Sequence, residues 1–233
     1  IKIKDAIVSY QKKGYRVLVV LSALAKASNY LDVLSKRSAV SFDQESFDIL
    51  LSQHQSFSKN LGVEECCRDF IESEFGYIKS LCLGVASLGK CTPEVYASIM
   101  SRGERLLTYI LSSWLSKSNI KHNQIDAREF LIIKSGSEST RSCQYTRGFC
   151  SVKEDVGFRD FCEQDNTNLI LTQGFIASNT SGETVLLGRG GSDTSAAYFA
   201  VKLAAKRVDI WTDVPGVFSS NPHKIQQAKL LKY

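Results

Sequence analysis

The sequence predicts an α/β protein, a sandwich of helices on a largely parallel sheet. Apolar residues at helical spacing alternate along the chain with short β-branched runs. One such run leads through a glycine-rich turn directly into a helix, the signature of a strand-to-helix connection. At 233 residues the chain can bury a proper core, as one large domain or two closely packed lobes.

In chain order, residues 1–13 place Ile3, Ala6, Ile7 and Tyr10 on one helical face, and Gly14 ends that helix. Arg16 to Leu21 (RVLVVL) reads as a buried strand, and Ser22 to Asn29 as a loop of small residues. Residues 42–118 are mainly helical, with Leu50, Leu51, His54, Phe57 and Leu61, then Cys66, Phe70, Ile71 and Phe75, at helical spacing. Thr92-Pro93-Glu94 starts a helix, with Pro93 where its missing N–H costs nothing. Gly103 is expected to mark a helix junction, because glycine inside a helix costs about 1 kcal/mol relative to alanine. Strands are expected at Phe130–Lys134, Leu169–Ile176, Thr184–Leu187 and Val208–Trp211, with loops and short elements over 135–165. The helix over 192–206 is apolar almost all round and should be buried against the sheet. Trp211 is expected in the core, and His54 and His122 on helix or loop surfaces.

Composition excludes several function classes. The net charge of +5 comes without a run of five or six like charges, which argues against nucleic-acid binding. No apolar stretch reaches membrane-spanning length. The seven cysteines are odd in number and lack a Cys-x-x-Cys pair, so reduced thiols in a cytoplasmic protein are expected. Cys143, Cys150 and His122 do not match common zinc-ligand spacings, and no metal site is assigned. Amphipathic patterns run up to Ile1 and Tyr233, so both ends are expected to be truncated.

Gly188-Arg189-Gly190-Gly191-Ser192-Asp193-Thr194-Ser195 is the most informative segment. Its three glycines let the backbone approach a ligand without a Cβ in the way. The helix start behind them offers unpaired N–H groups and the positive end of the helix dipole, suited to phosphate or carboxylate. Arg189 adds a planar cation that can grip an anion with two hydrogen bonds. The same turn also serves ordinary strand-to-helix geometry. Three further loops accompany it: Ser22 to Asn29, Ser101 to Glu104, and Trp211 to Phe218. All four are expected at strand ends, where ligands bind in open α/β sheets.

Together these segments resemble the aspartate kinases of the amino-acid kinase family, most specifically over Thr172 to Pro222. The run GRGGSDTSAAYFAVKLAAKRVDIWTDVPGVF is especially similar to the kinase half of bifunctional aspartate kinase/diaminopimelate decarboxylases. The resemblance implies a three-layer αβα sandwich with a mainly parallel central sheet. Residues to about 165 would form the amino-acid-binding lobe, and 166–233 the start of the nucleotide-binding lobe. It implies transfer of the ATP γ-phosphoryl group, with Mg²⁺ carried by ATP, to the side-chain carboxylate of L-aspartate. A homo-oligomer is also implied. An ionised carboxylate needs no general base, so catalysis would rest on positioning and charge neutralisation.

By the same resemblance Arg189 holds the substrate α-carboxylate, and Glu104 of Ser-x-Gly-Glu meets its ammonium. Ser22 and Ser28 supply hydroxyls of the first loop, with Ser28 standing in for a Thr. Gly191 and Ser192 line the substrate, and Asp193 orients the reacting groups near phosphate and metal. Gly188, Gly190, Thr212, Asp213 and Phe218 border the nucleotide, Phe218 in place of a Tyr. Read without the family, Glu104 is a solvated helix glutamate and Asp193 a first-turn acid favoured by the dipole. Asn221-Pro222-His223 replaces the family's Asp-Pro-Arg, which makes His223 a titratable substitute for a permanent cation near the phosphates. Ala25-Lys26-Ala27 departs from a glycine-containing pattern. The family's Lys-Phe-Gly-Gly strand, a later lysine and the regulatory ACT domains are not among these residues, so the chain alone is expected to be a very poor kinase. Kinases of glutamate, acetylglutamate, carbamate or nucleoside monophosphates, and a non-catalytic ligand-binding module, remain the competing readings.

Overall fold

The computed structural model describes residues 2–133, 140–188, 190–212, 216, 218–220 and 225–231. After α1 (Lys2–Lys12) the chain turns at Gly14, whose φ of 80° favours glycine, into β1 (Val17–Leu21). Five helices follow: α2 (Ala27–Arg37), α3 (Gln44–Asn60), α4 (Glu64–Leu88), α5 (Pro93–Met100) and α6 (Arg102–Lys117). The starts of α3 and α5 are encoded locally. Asp43 accepts from the Ser46 N–H at 3.1 Å, and Thr92 accepts from Val95 with Pro93 in the first turn.

Next come β2 (Asn123–Gln124), α7 (Ala127–Phe130), β3 (Ile132–Ile133), α8 (Arg141–Thr146) and α9 (Val156–Gln164). The remaining elements are β4 (Leu169–Gln173), β5 (Ile176–Asn179), β6 (Thr184–Leu186) and α10 (Gly191–Lys202).

β4 is the central strand of a parallel sheet ordered β1-β4-β2. Each of its five residues is buried, which matches the near-continuous apolar reading of a strand covered on both faces. Val17, Val19, Leu169 and Leu171 pack with Ile7 of α1 and Leu115 of α6. Leu18, Val20 and Ile170 belong to the main core, which also contains Phe199 of α10 and Phe158 of α9. Helices therefore cover both sides of the sheet, as the α/β reading expects. A second three-stranded sheet joins β3 and β5 in parallel and β5 and β6 antiparallel.

Several expectations are corrected. The strand expected over Leu169–Ile176 is broken at Gly174-Phe175, where Phe175 takes a φ of 65°. Phe130 belongs to α7 and only Ile132–Ile133 is strand, while Lys134 lies outside the described residues. The loop after β1 is shorter than expected, because α2 begins at Ala27 and takes Ser28 into its first turn. Ser101 rather than Gly103 breaks the helix between α5 and α6. Val208–Trp211 forms no strand: among the described residues no strand pairs with its backbone, and the short apolar run is exposed. Trp211 is 62% exposed and not a core residue. The helix expected over 192–206 ends at Lys202, and Ala197 and Val201 on its outer face are exposed.

His54 is also corrected: it is fully buried, edge-on to Phe75 with ring centroids 5.7 Å apart, and its Nδ1 lies 2.8 Å from Leu50 O. Burial lowers its pKa, so the neutral ring fills core space as an apolar residue would. His122 is half-buried, with its ring nitrogens against Ser112 Oγ and Ile120 O. Among the described residues no helix is long and apolar enough to cross a membrane.

A Cβ on Gly174 would lie 2.8 Å from the Ser192 Cα, which belongs to backbone and cannot rotate away. Gly174→Ala is expected to destabilise the protein by about 1–3 kcal/mol, read as a lower urea midpoint at unchanged slope.

Candidate functional site

Two helix N-termini meet the C-terminal ends of β1 and β4. The first belongs to α6. Gly103 lies so close to the loop after β1 that an added Cβ would sit 2.8 Å from Ala23 Cβ and 3.2 Å from Leu31 Cδ1. This contact, rather than a helix junction, is why position 103 is glycine. It brings Glu104 against the same loop, beside the exposed Ser22. Ser28 lies in the first turn of α2, next to the fully buried Ala27.

The second N-terminus is that of α10. Leu21 O, the last carbonyl of β1, accepts from Gly174 N at 2.7 Å, and Gly174 packs directly on Ser192. A Cβ on Gly191 would lie 2.5 Å from Phe175 Cδ2. Ser195 Oγ accepts from Phe175 N at 2.9 Å and donates to Gly191 O at 2.8 Å, which ties the first helical turn to the β4–β5 kink. Gly190 caps the helix with φ 73° and contributes no side-chain cap, and Asp193 is the exposed acid of the first turn. Such an uncapped start suits an anion. Gly188 has φ 79° and lies beside Thr146 and Arg147.

The structure thus gathers Ser22, Glu104, Gly191 and Ser192 around one pair of strand ends, with Ser28 and Asp193 at the adjoining helix starts. Thr212 is exposed, and Phe218 is half-buried in an antiparallel bridge with Leu230. The chain just before Thr212 is tied to α1, where Tyr10 Oη donates to Asp209 Oδ2 at 2.5 Å. Arg189, Asp213 and His223 lie outside the described residues.

Glu104 is not the solvated glutamate that composition would suggest. It is 3% exposed, and its Oε2 has no hydrogen-bond partner among the described residues. Burial pushes its pKa up to about 8, against the lowering effect of the backbone N–H groups of Glu104 and Ala23. A buried carboxyl lacking a partner is costly unless a cation or donor reaches it. The thiols of Cys91, Cys150 and Cys162 are pushed to about 11 by burial and stay protonated at neutral pH.

The chain matches the amino acid kinase family over residues 2–233. It belongs to that family. Among its relatives, the bifunctional aspartokinase/homoserine dehydrogenase of Buchnera aphidicola is 32% identical over 98% of this chain and 28% of the relative. Lysine-sensitive aspartokinase 3 of Escherichia coli is 30% identical over 91% of this chain and 45% of that enzyme. The solved structure of E. coli aspartokinase III with aspartate and ADP superposes with a TM-score of 0.76 at 29% identity. That match covers 92% of this chain and 46% of the other. The chain therefore spans less than half the length of each of these relatives.

Sequence reading missed a partly buried ion-pair group on α4, α6 and α7. Glu74 of α4 meets Arg102 at 3.1 Å and Arg105 at 3.0 Å, and Arg105 reaches Asp126 at 3.5 Å. Asp126 also holds Arg128 at 2.6 Å. Arg102 and Arg105 flank Glu104 in the sequence, a clustering that could have been noticed, but Glu74 carries no local signal.

Glu104 gives a test of its own burial. Its raised folded-state pKa means that the stability present below the unfolded value is lost as pH rises towards 8. Glu104→Gln is expected to stabilise the protein at pH 8.5 by on the order of 4 kcal/mol. The gain should shrink towards zero near pH 4.5, followed by chemical denaturation across that range.

Proposed function

We propose that the chain is the catalytic domain of an aspartate kinase. In this reading it transfers the γ-phosphoryl group of ATP to the side-chain carboxylate of L-aspartate, giving 4-phospho-L-aspartate, the entry to lysine, threonine and methionine synthesis. The observation that carries the proposal is a buried carboxyl and an uncapped helix start brought to one pair of strand ends. A buried, half-partnered carboxylate at Glu104 faces the strand ends from one helix, and the uncapped N-terminus of α10 faces them from another. A zwitterionic dicarboxylate complements both, its ammonium answering Glu104 and its negative ends answering N–H donors. The aspartate and ADP of the E. coli aspartokinase III complex support the same substrate pair here.

In this reading each residue takes the role that the family resemblance implies. Glu104 accepts the ammonium, and Arg189, next to Gly190 in sequence, holds the α-carboxylate by a two-bond contact. Ser22, Ser28 and Ser192 offer hydroxyl donors, and Gly191 keeps the backbone close to the bound acid. Gly188 and Gly190 admit the phosphates, with His223 near them, and Thr212, Asp213 and Phe218 border the nucleoside. Asp193 is a lone exposed carboxylate at the helix start, a donor that fits Mg²⁺ held mainly by the nucleotide's phosphates. That ion would neutralise phosphate charge. The attacking carboxylate is ionised at neutral pH and needs no base, so the residues contribute alignment and charge stabilisation.

The decisive assay uses the full-length protein with ATP, Mg²⁺ and hydroxylamine. Hydroxamate is expected with L-aspartate and not with acetylglutamate or glutamate, and the reverse pattern would remove the proposal. Binding should also release protons. An ammonium against Glu104 restores the ionised form, so at pH 7 aspartate binding is expected to expel close to one proton. Calorimetry in buffers of different ionisation enthalpy measures it.

A further inference from the structure

We infer that Arg147 is a second cation of the glycine turn, placed to grip a phosphate of the bound nucleotide. The inference rests on the aspartate kinase reading for the identity of the anion, and on the structure for the position of the cation.

Arg147 ends α8, a different element from the turn, yet it lies directly against it. The three atoms nearest to a Cβ built on Gly188 all belong to this helix end. They are Thr146 O at 3.6 Å, Arg147 Cα at 3.7 Å and Arg147 Cγ at 3.7 Å. The arginine side chain therefore starts alongside the first residue of the turn, and its guanidinium follows that Cγ by Cδ and Nε alone. The backbone beneath it is fixed. Arg147 N donates to Cys143 O at 2.9 Å, and Gly148 N donates to Leu186 O at 2.9 Å. Leu186 is the last residue of β6 and leads through Leu187 into Gly188. Gly148 has no room for a side chain, since a Cβ would lie 1.9 Å from Ile133 Cδ1 and 2.9 Å from Val185 Cγ1. The strand that enters the turn and the residue that carries the cation are thus held as one unit.

The guanidinium itself is uncommitted. Arg147 is exposed, and its side chain has no hydrogen-bond or ion-pair partner among the described residues. Every other described arginine except the exposed Arg68 of α4 is bonded to a carboxylate or a carbonyl oxygen. Arg141, on the same helix, shows that usual outcome: Glu94 of α5 holds it. Arg147 keeps its planar fork of donors free, a geometry that matches two phosphate oxygens. Space for the anion is present as well. Gly188 and Gly190 take φ of 79° and 73°, and a Cβ on Gly190 would meet nothing within 4 Å. A phosphate chain brings more negative charge to the turn than a carboxylate does, and Arg189 is already assigned to the α-carboxylate of the substrate. Arg147 supplies a permanent charge from a separate element, on the Gly188 side where that reading places the phosphates.

The test compares Arg147→Gln and Arg147→Lys with the wild type in the full-length protein, titrating ADP with Mg²⁺ by calorimetry. Arg147→Gln is expected to weaken ADP about tenfold, as for loss of a charge-assisted contact. Arg147→Lys returns a point charge without the fork and should recover part of that loss. Adenosine, which lacks phosphate, should bind all of these proteins alike. Added salt should weaken ADP more steeply in the wild type than in Arg147→Gln. In the hydroxamate assay the ATP KM should rise about tenfold, with the aspartate KM within about twofold of wild type. The exposed side chain leaves no cavity when replaced, so the urea midpoint should stay at the wild-type value. An unchanged ADP affinity in Arg147→Gln overturns the inference. An equal loss for ADP and adenosine does so too, because it marks a structural role, as does a rise confined to the aspartate KM. The ADP titration needs no acceptor. A wild type that forms hydroxamate with another acid and not with aspartate sinks the substrate assignment, while the dependence of ADP binding on Arg147 still decides this inference. A wild type that binds no ADP overturns it outright.

Discussion

The site depends on glycines packed against neighbouring residues at places that leave no room for a Cβ. Gly103 on Ala23, Gly174 on Ser192 and Gly191 on Phe175 are the three contacts, each closer than an alanine could tolerate. They set two helix N-termini against the ends of two neighbouring strands. Remove any one and the helices back away, because close-packed interiors accommodate an added methyl only by displacement. Leu21 O and Gly174 N fasten the strand ends to each other, and Ser195 Oγ fastens α10 to Phe175. Shape comes first here, and the charges inherit their positions from it.

Those charges are unequal in a useful way. The α10 start is polar, accessible and uncapped, so it can receive an anion at little desolvation cost. Glu104 is buried with one oxygen that has no partner among the described residues, and burial raises its pKa to about 8, so it is mostly protonated at neutral pH. Gln173 links the two sides: its Oε1 accepts from Ala127 N at 2.9 Å, at the start of the helix that Asp126 caps. From Asp126 the ion pairs run through Arg105 to Glu74. A continuous set of contacts therefore spans from Ser192 to the helix that bears Glu104.

Much of this was legible in the sequence, for identifiable reasons. The helices of the middle region carry strong periodicity and local caps such as Asp43 and Thr92, so they read correctly. β1 and β4 are apolar runs bounded by turn residues, and the Gly190-Gly191 helix start announces itself. Failures cluster where a fact is non-local. Val208–Trp211 has strand composition, but a strand exists only with a neighbour to pair it. His54 sits on the apolar face of its helix, and only the packing of Phe75 against it reveals burial. Gly174-Phe175 looks like ordinary strand continuation until Ser192, 18 residues further on, is seen lying against it. For the site, residue types pointed to Glu104 while its buried state did not show, because burial is a property of the loop after β1. Glu74, 30 positions before Glu104, carries no motif at all.

The chemistry that such a site favours follows from what it lacks room for and what it holds. A nucleophile made by deprotonation needs a base with a pKa near neutrality beside it. His54 is sealed in the core, and three of the half-buried or buried thiols are held protonated near 11. Glu104 has a suitable pKa, but its burial against Ala23 and its open oxygen suit it better to receiving a cation than to shuttling protons with solvent. A substrate that brings its own ionised oxygen asks only to be held in line and to have charge neutralised. Two helix starts, a set of glycines and one buried carboxyl are of the kind that such a substrate asks for. The same group of residues would serve poorly for hydrolysis, where water must be activated as well as placed.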